Sequence, residues 1–248
     1  FPASGVAAPV SALMMDQGRR SADSRARVKD PARKAARAFA NYLEKQGVQV
    51  RGIERGVAPS SARELARVES ATITEIVQMM LTESDNDVAE SLGHLVGRAV
   101  LQDGSFAGGA RAMTQVLAEA GIDISGMELA DASGLSGRNE VAPITIAEVL
   151  SDVVREERWS AISGGLAVAG VSGTLADRFA TRATSAGRGV VRAKTGTLTG
   201  VGALAGTVLD SDERPLVFVV LANRVRSQAQ ARDTMDRIAS KLAECGCR

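Results

Sequence analysis

The sequence predicts a mixed α/β fold in which a helical block is followed by strands and a closing helix. Three observations carry this. Before about residue 185, apolar residues recur at helical spacing, as in Ile73, Ile76, Val77, Met80 and Leu81. After about residue 186 the period changes, and Leu216 to Leu221 is apolar at every position, which marks a strand covered on both faces. A last helical stripe, Ala231, Met235, Ile238 and Leu242, ends the pattern.

In chain order, residues 1–29 show no sustained period and read as an extended connecting segment. Phe1-Pro2-Ala3-Ser4 is neither a basic leader nor a cleavable signal. Asp30 is placed to cap a helix with Pro31 in its first turn, an apolar stripe at Ala32, Ala35, Phe39 and Leu43, and Gly47 as its stop. Val48 and Val50 alternate with Gln49 and Arg51, which predicts a short strand. Thr72 and Glu75 form a capping box for the next helix. It ends in the polar run Thr82-Glu83-Ser84-Asp85-Asn86-Asp87, where a second helix begins at once, its predicted apolar stripe being Val88, Leu92, Leu95, Val96 and Ala99. A helix over about 108–120 stops at Gly121, and Thr145 with Glu148 predicts another capping box. Strands follow at Gly189 to Lys194, Val201 to Leu209 and Pro215 to Leu221. The helical lobe thus runs from about 72 to 185, with the strands and terminal helix at about 187–244.

Composition excludes several classes. At 248 residues, with 45% hydrophobic and 24% charged residues, the chain has the profile of a globular domain with a sizeable core. A net charge of +1 gives no reason to expect nucleic acid, and the eight Lys/Arg between Arg19 and Arg37 read as a solvated basic loop. No apolar run approaches the ~18 residues of a membrane helix, so no transmembrane segment is expected. Cys245 and Cys247 are too few to close a tetrahedral zinc site, and their partners stay open. The single histidine, His94, leaves a zinc peptidase poorly supplied with ligands. Its position opposite the apolar stripe predicts a solvent-facing side chain rather than a catalytic base. No metal or organic cofactor is implied.

Two short motifs hold the candidate chemistry. Ser84-Asp85-Asn86 sits at the corner between two helices, and Lys194-Thr195-Gly196-Thr197 at the end of a strand. These residue types suit acyl transfer to a peptide that ends in a carboxylate. Lys194 supplies a positive charge for that carboxylate, and the Thr195 and Thr197 hydroxyls can donate to it. Gly196 lets a substrate backbone lie against the strand edge, and the Thr197 N–H can serve an oxyanion hole. Asp85 reads as a structural residue of the corner.

Together the motifs resemble the second and third signatures of penicillin-recognising serine enzymes. The resemblance extends to the low-molecular-mass, large-insertion (class C) D-alanyl-D-alanine carboxypeptidase/endopeptidases. Asp131-Ala132-Ser133-Gly134-Leu135-Ser136 is similar to that family's Asp-Gly-Ser-Gly-Leu-Ser segment, and Ser172-Gly173-Thr174-Leu175 to the stretch before its third motif. Asp30-Pro31 and Gly47 to Gly52 also match, so the likeness covers the chain from about residue 30 onward. It implies an antiparallel sheet flanked by helices plus an all-helical lobe carrying Ser84. It implies that Ser84 relays a proton to the leaving D-alanine and that Asn86 holds the peptide amide. It further implies β-lactam acylation, a peptidoglycan stem peptide ending in D-Ala-D-Ala as substrate, and an exported protein of the periplasm or cell wall.

One part of that pattern is absent. The family's first motif is Ser-x-x-Lys, with serine as nucleophile. The residues three before the five lysines are Ala26, Pro31, Tyr42, Val191 and Ile238. The expectation is therefore a C-terminal portion whose nucleophile lies on an N-terminal segment, the same segment that would cover the apolar strand Leu216–Leu221. A non-catalytic peptidoglycan-binding relative and a serine β-lactamase are the alternatives, although no Glu-x-x-Leu-Asn of class A lactamases occurs.

Overall fold

Asp30 accepts a hydrogen bond from the Arg33 amide at 3.0 Å and Pro31 opens the first turn, so α1 (Pro31–Lys45) begins where its capping residues dictate. Gly47, at φ +83°, lets the Val48 amide return to the Leu43 carbonyl at 3.0 Å and closes the helix. The computed structural model describes residues 5–21, 23–24 and 26–246, in two compact units, Phe1–Ala71 and Thr72–Arg248. In the first unit, Asp16–Gly18 forms a 3₁₀ turn and Arg19 bridges Arg27. The strand expected at Val48–Arg51 does not form among the described residues. Alternation alone cannot make a strand that has no neighbour to satisfy its backbone groups.

The second unit holds the candidate chemistry. Thr72 and Glu75 do form a reciprocal capping box, and α2 (Ile73–Glu83) runs directly into α3 (Asn86–Leu101). Helix α4 (Phe106–Glu119) packs on α3, but not through the apolar stripe read from the sequence. The buried α3 residues are Asp87, Glu90, Gly93 and Gly97, whereas Leu95 is 56% exposed. Glycines decide the packing: a Cβ on Gly97 would lie 2.4 Å from the Asp103 carbonyl oxygen and 2.6 Å from the Gly109 nitrogen. Backbone approaches backbone there, while Leu95 and Val100 are left exposed. His94 consequently lies half-buried rather than solvent-facing, edge-on to Phe106 with Nδ1 2.5 Å from the Gly104 carbonyl.

Helix α5 (Pro143–Arg155) starts at Pro143, two residues before the predicted cap. Thr145 and Glu148 are not its capping box. Both hold Asp123, Thr145 Oγ1 donating to its carbonyl at 2.8 Å and Glu148 Oε2 accepting from its amide at 2.7 Å. A short α6 (Ser160–Gly165) then leads into β1 (Ala167–Val168). β2 (Val191–Leu198), β3 (Val201–Leu209) and β4 (Pro215–Asn223) complete an antiparallel sheet ordered β1-β2-β3-β4.

Leu216 to Ala222 of β4 are all apolar for a visible reason. Leu216, Phe218, Val220 and Ala222 join the core under α7 (Gln228–Ala243), which contains Val191, Leu204, Val208 and Met235. The alternate side chains face the other way, where α5 packs on β4 and β3. Among the described residues only β3 pairs with β4, so its outer edge is open. Cys245 is a free, half-buried thiol beyond α7, and Cys247 lies outside the described residues.

One buried ion pair ties this layer together. Arg178 contacts Asp236 of α7 at 2.5 and 3.2 Å, with the two side chains 11% and 8% exposed. Removing one partner strands the other charge without water. Asp236→Ala is therefore expected to lower unfolding free energy by about 3–5 kcal/mol, read from urea denaturation. A loss below ~1 kcal/mol would mean that the site relaxes or hydrates.

Candidate active site

The corner between α2 and α3 is built by one residue in an uncommon conformation. Ser84 ends α2 with φ 56° and ψ 50°, the left-handed region, while its amide and that of Asp85 both return to the Met80 carbonyl. A non-glycine residue there is disfavoured by roughly 1–2 kcal/mol, which neighbouring packing must offset. Asp85 then caps α3, accepting from the Val88 amide at 3.1 Å, and is itself buried. Asn86 is the first residue of α3. The Ser-Asp-Asn run thus places a hydroxyl and an amide side by side at the mouth of two helices.

Lys194 faces this corner from β2. Its Nζ donates to Ser84 Oγ at 2.6 Å and to the Thr195 carbonyl at 2.8 Å. Among the described residues no carboxylate pairs with it. Burial without a counter-charge depresses its pKa to about 8. The motif fills the second half of β2 rather than following the strand's end. β1 pairs only with Arg192 and Ala193, so the edge of β2 from Lys194 onward is open among the described residues. The Thr195 hydroxyl donates to Thr174 Oγ1 at 3.0 Å. The 3₁₀ turn Gly173–Leu175 reaches that position because Gly173, at φ +53°, lies against α2; a Cβ there would sit 2.2 Å from the Thr82 carbonyl oxygen.

A cavity of about 470 Å³ joins these parts. Ser84, Asn86, Lys194, Thr195, Gly196 and Thr197 all line it, so every residue singled out for chemistry comes to one place. A further wall, Ala132 to Leu135, was legible in the sequence only as a family-like segment without a role. Asp131 organises it, accepting from the amides of Gly134 and Ser136 and from Asn139 Nδ2 at 2.9, 2.6 and 2.7 Å. Glu90 holds it to α3, accepting from the amides of Ser133 and Ala132 at 2.9 and 3.3 Å. Asp131 and Glu90 are 4% and 2% exposed, and the only sequence signal for Glu90 was its place one turn beyond Asn86. No group of His, Cys, Asp or Glu suited to a metal ion occurs among the described residues.

An antiparallel sheet flanked by helices, with a lysine on one strand reaching a serine at a helical corner, defines the class of penicillin-recognising serine enzymes. The chain belongs to the D-Ala-D-Ala carboxypeptidase 3 (S13) family, whose model matches residues 17–245. It is similar to carboxypeptidase DacB of Mycolicibacterium smegmatis, 37% identical over 98% of this chain and 53% of the relative. It is also similar to the D-alanyl-D-alanine carboxypeptidase of Actinomadura sp. (strain R39), at 36% identity over 96% of this chain and 43% of that protein. Among solved structures, penicillin binding protein 4 (dacB) from Haemophilus influenzae, complexed with a novel β-lactam, superposes with a TM-score of 0.77 at 27% identity. That match covers 88% of this chain and 53% of the other. The chain spans about half the length of the curated relatives it matches. Within the described residues no helix is long and apolar enough to cross a membrane.

Proposed function

We propose that residues 30–248 are the C-terminal portion of a transpeptidase-like domain that cleaves D-alanyl-D-alanine ends of peptidoglycan stem peptides outside the cytoplasm. The observation that carries this is the 2.6 Å contact between Lys194 Nζ and Ser84 Oγ, which unites two motifs 110 residues apart at the head of a cavity. On this reading the nucleophilic serine and its lysine come from a Ser-x-x-Lys motif on an N-terminal segment. Catalysis then requires the chain as part of the complete protein, joined to that segment. The same segment supplies a strand for the open edge of β4.

The chemistry then divides as follows. The Lys194 ammonium and the Thr197 hydroxyl hold the terminal carboxylate, and Asn86 holds the amide of the acyl part. The serine gives its proton to the lysine of its own motif as its oxygen attacks the carbonyl carbon of the penultimate D-alanine, and the C–N bond to the terminal D-alanine breaks. Ser84 passes a proton to the departing amine, and water later attacks the acyl-enzyme to release the shortened peptide. Thr195 takes a supporting part, because its hydroxyl is engaged by Thr174. A β-lactam carries an equivalent carboxylate and acylates the same serine. Both carboxypeptidase and endopeptidase action are compatible with these groups.

The lysine gives a test. Its ordinary pKa of 10.5 is depressed to about 8 by burial, so the free site loses its ammonium as pH rises through about 8. A bound carboxylate favours the charged form and raises that pKa again. In the complete protein, kcat/KM is expected to fall above pH ~8, while kcat holds to higher pH. Lys194→Arg, which stays charged, should abolish this limb even if its overall rate is lower. A kcat/KM that is flat to about pH 10 would remove Lys194 from carboxylate recognition.

A further inference from the structure

Glu90 is not adjacent to the proposed chemistry, yet it connects two walls of the cavity. It lies on α3 one helical turn beyond Asn86, is 2% exposed, and spends both carboxylate oxygens on backbone amides of another segment. Those amides belong to Ala132 and Ser133, which line the cavity. The contact is close because α3 has a glycine beneath the loop. A Cβ on Gly93 would lie 2.5 Å from the Ala132 Cβ. Asp131 shapes the loop from inside, through bonds to its own amides and to Asn139, and Glu90 ties it by two hydrogen bonds to the helix bearing Asn86.

We infer that Glu90 is a positioning residue that fixes the distance between Asn86 and the Ala132–Leu135 wall, and so sets how the acyl part of a ligand is held. The inference rests on the proposed function, since the acyl part is the portion beyond the carboxylate at Lys194. A buried carboxylate receiving two N–H donors is a stiff clamp: losing it takes the acceptor from two part-buried amides. The loop would then move relative to Asn86 while Ser84 and Lys194, which do not touch it through Glu90, keep their contact. Displacements of about 1 Å in such walls reduce rates by up to ~10²-fold.

The experiment uses the complete protein and measures the second-order acylation rate with two ligands: benzylpenicillin, and the penicillin nucleus lacking the acyl side chain. Glu90→Ala should slow benzylpenicillin acylation about 30-fold, and Glu90→Gln, which keeps one acceptor for the Ser133 amide, only about 3-fold. With the bare nucleus the losses should stay within about 3-fold, because that ligand has little to place against the loop. A purely structural role would slow both ligands alike, and that result overturns the inference, as does a wild-type rate for Glu90→Ala. Should Glu90→Ala fail to fold, Glu90→Asp, whose shorter carboxylate cannot reach both amides, decides: it should slow benzylpenicillin about 10-fold more than the bare nucleus. A wild-type protein that neither ligand acylates overturns the functional reading itself, and the inference with it.

Discussion

Ser84→Ala is expected to slow both D-alanine release and β-lactam acylation by the complete protein by about 10²–10⁴-fold, while peptide binding changes by less than ~3-fold. The asymmetry follows from what the hydroxyl does. Lys194 keeps its second acceptor, the Thr195 carbonyl at 2.8 Å, so its charge stays in place for the substrate carboxylate. The hydroxyl itself is the group that can receive a proton on one side and deliver one on the other, and alanine can do neither. Backbone geometry is not the confounder, because Ser84 and alanine meet the same penalty at φ 56°. A stopped assay with a D-Ala-D-Ala peptide, beside binding calorimetry on the same samples, separates the two quantities. A module that only binds peptidoglycan would show no catalytic loss. Equal losses in rate and affinity would instead make Ser84 part of ligand binding.

How much of this site could be read from the residues depends on the range of the interactions that build it. The α2–α3 corner was legible because its signals are local: Thr72 with Glu75 caps one helix, Asp85 caps the next, and Ser84 lies between. The β4 strand was legible because burial on two faces leaves a mark at every position, Leu216 to Leu221. The misread elements all turn on distant partners. Thr145 and Glu148 have capping spacing but bind Asp123, a loop residue that no local pattern pairs with them. The α3 face was read from Leu92, Leu95 and Ala99, whereas Gly93 and Gly97 let α4 and the loop come so close that the small residues define the buried side. Glu90 falls outside that stripe, and its spacing gives it no partner. Only the position of the Ala132 and Ser133 amides gives it a buried role.

The chain by itself is expected to form no covalent adduct with benzylpenicillin, whereas the complete protein should gain one penicilloyl group on its Ser-x-x-Lys serine, both read by intact-mass spectrometry. The serines that line the cavity here are Ser84 and Ser133, and the residues three beyond them are Asp87 and Ser136. Neither has the nearby lysine base of the first motif. Ser84 is the one to watch, because Lys194 sits 2.6 Å from its oxygen and a serine–lysine pair is a known form of activated nucleophile. At neutral pH, however, a lysine with a pKa of about 8 is mostly an ammonium, and an ammonium donates to the hydroxyl instead of removing its proton. The discriminating condition is therefore about pH 9, where most of Lys194 is neutral. If the isolated chain stays unmodified at both pH values and the complete protein is acylated, the nucleophile lies outside these residues and Ser84 serves as relay. An adduct on Ser84 that grows in as pH rises through about 8 would reverse that assignment. The dyad already present in this chain would then be the nucleophile, and the proposed need for an N-terminal serine would fall.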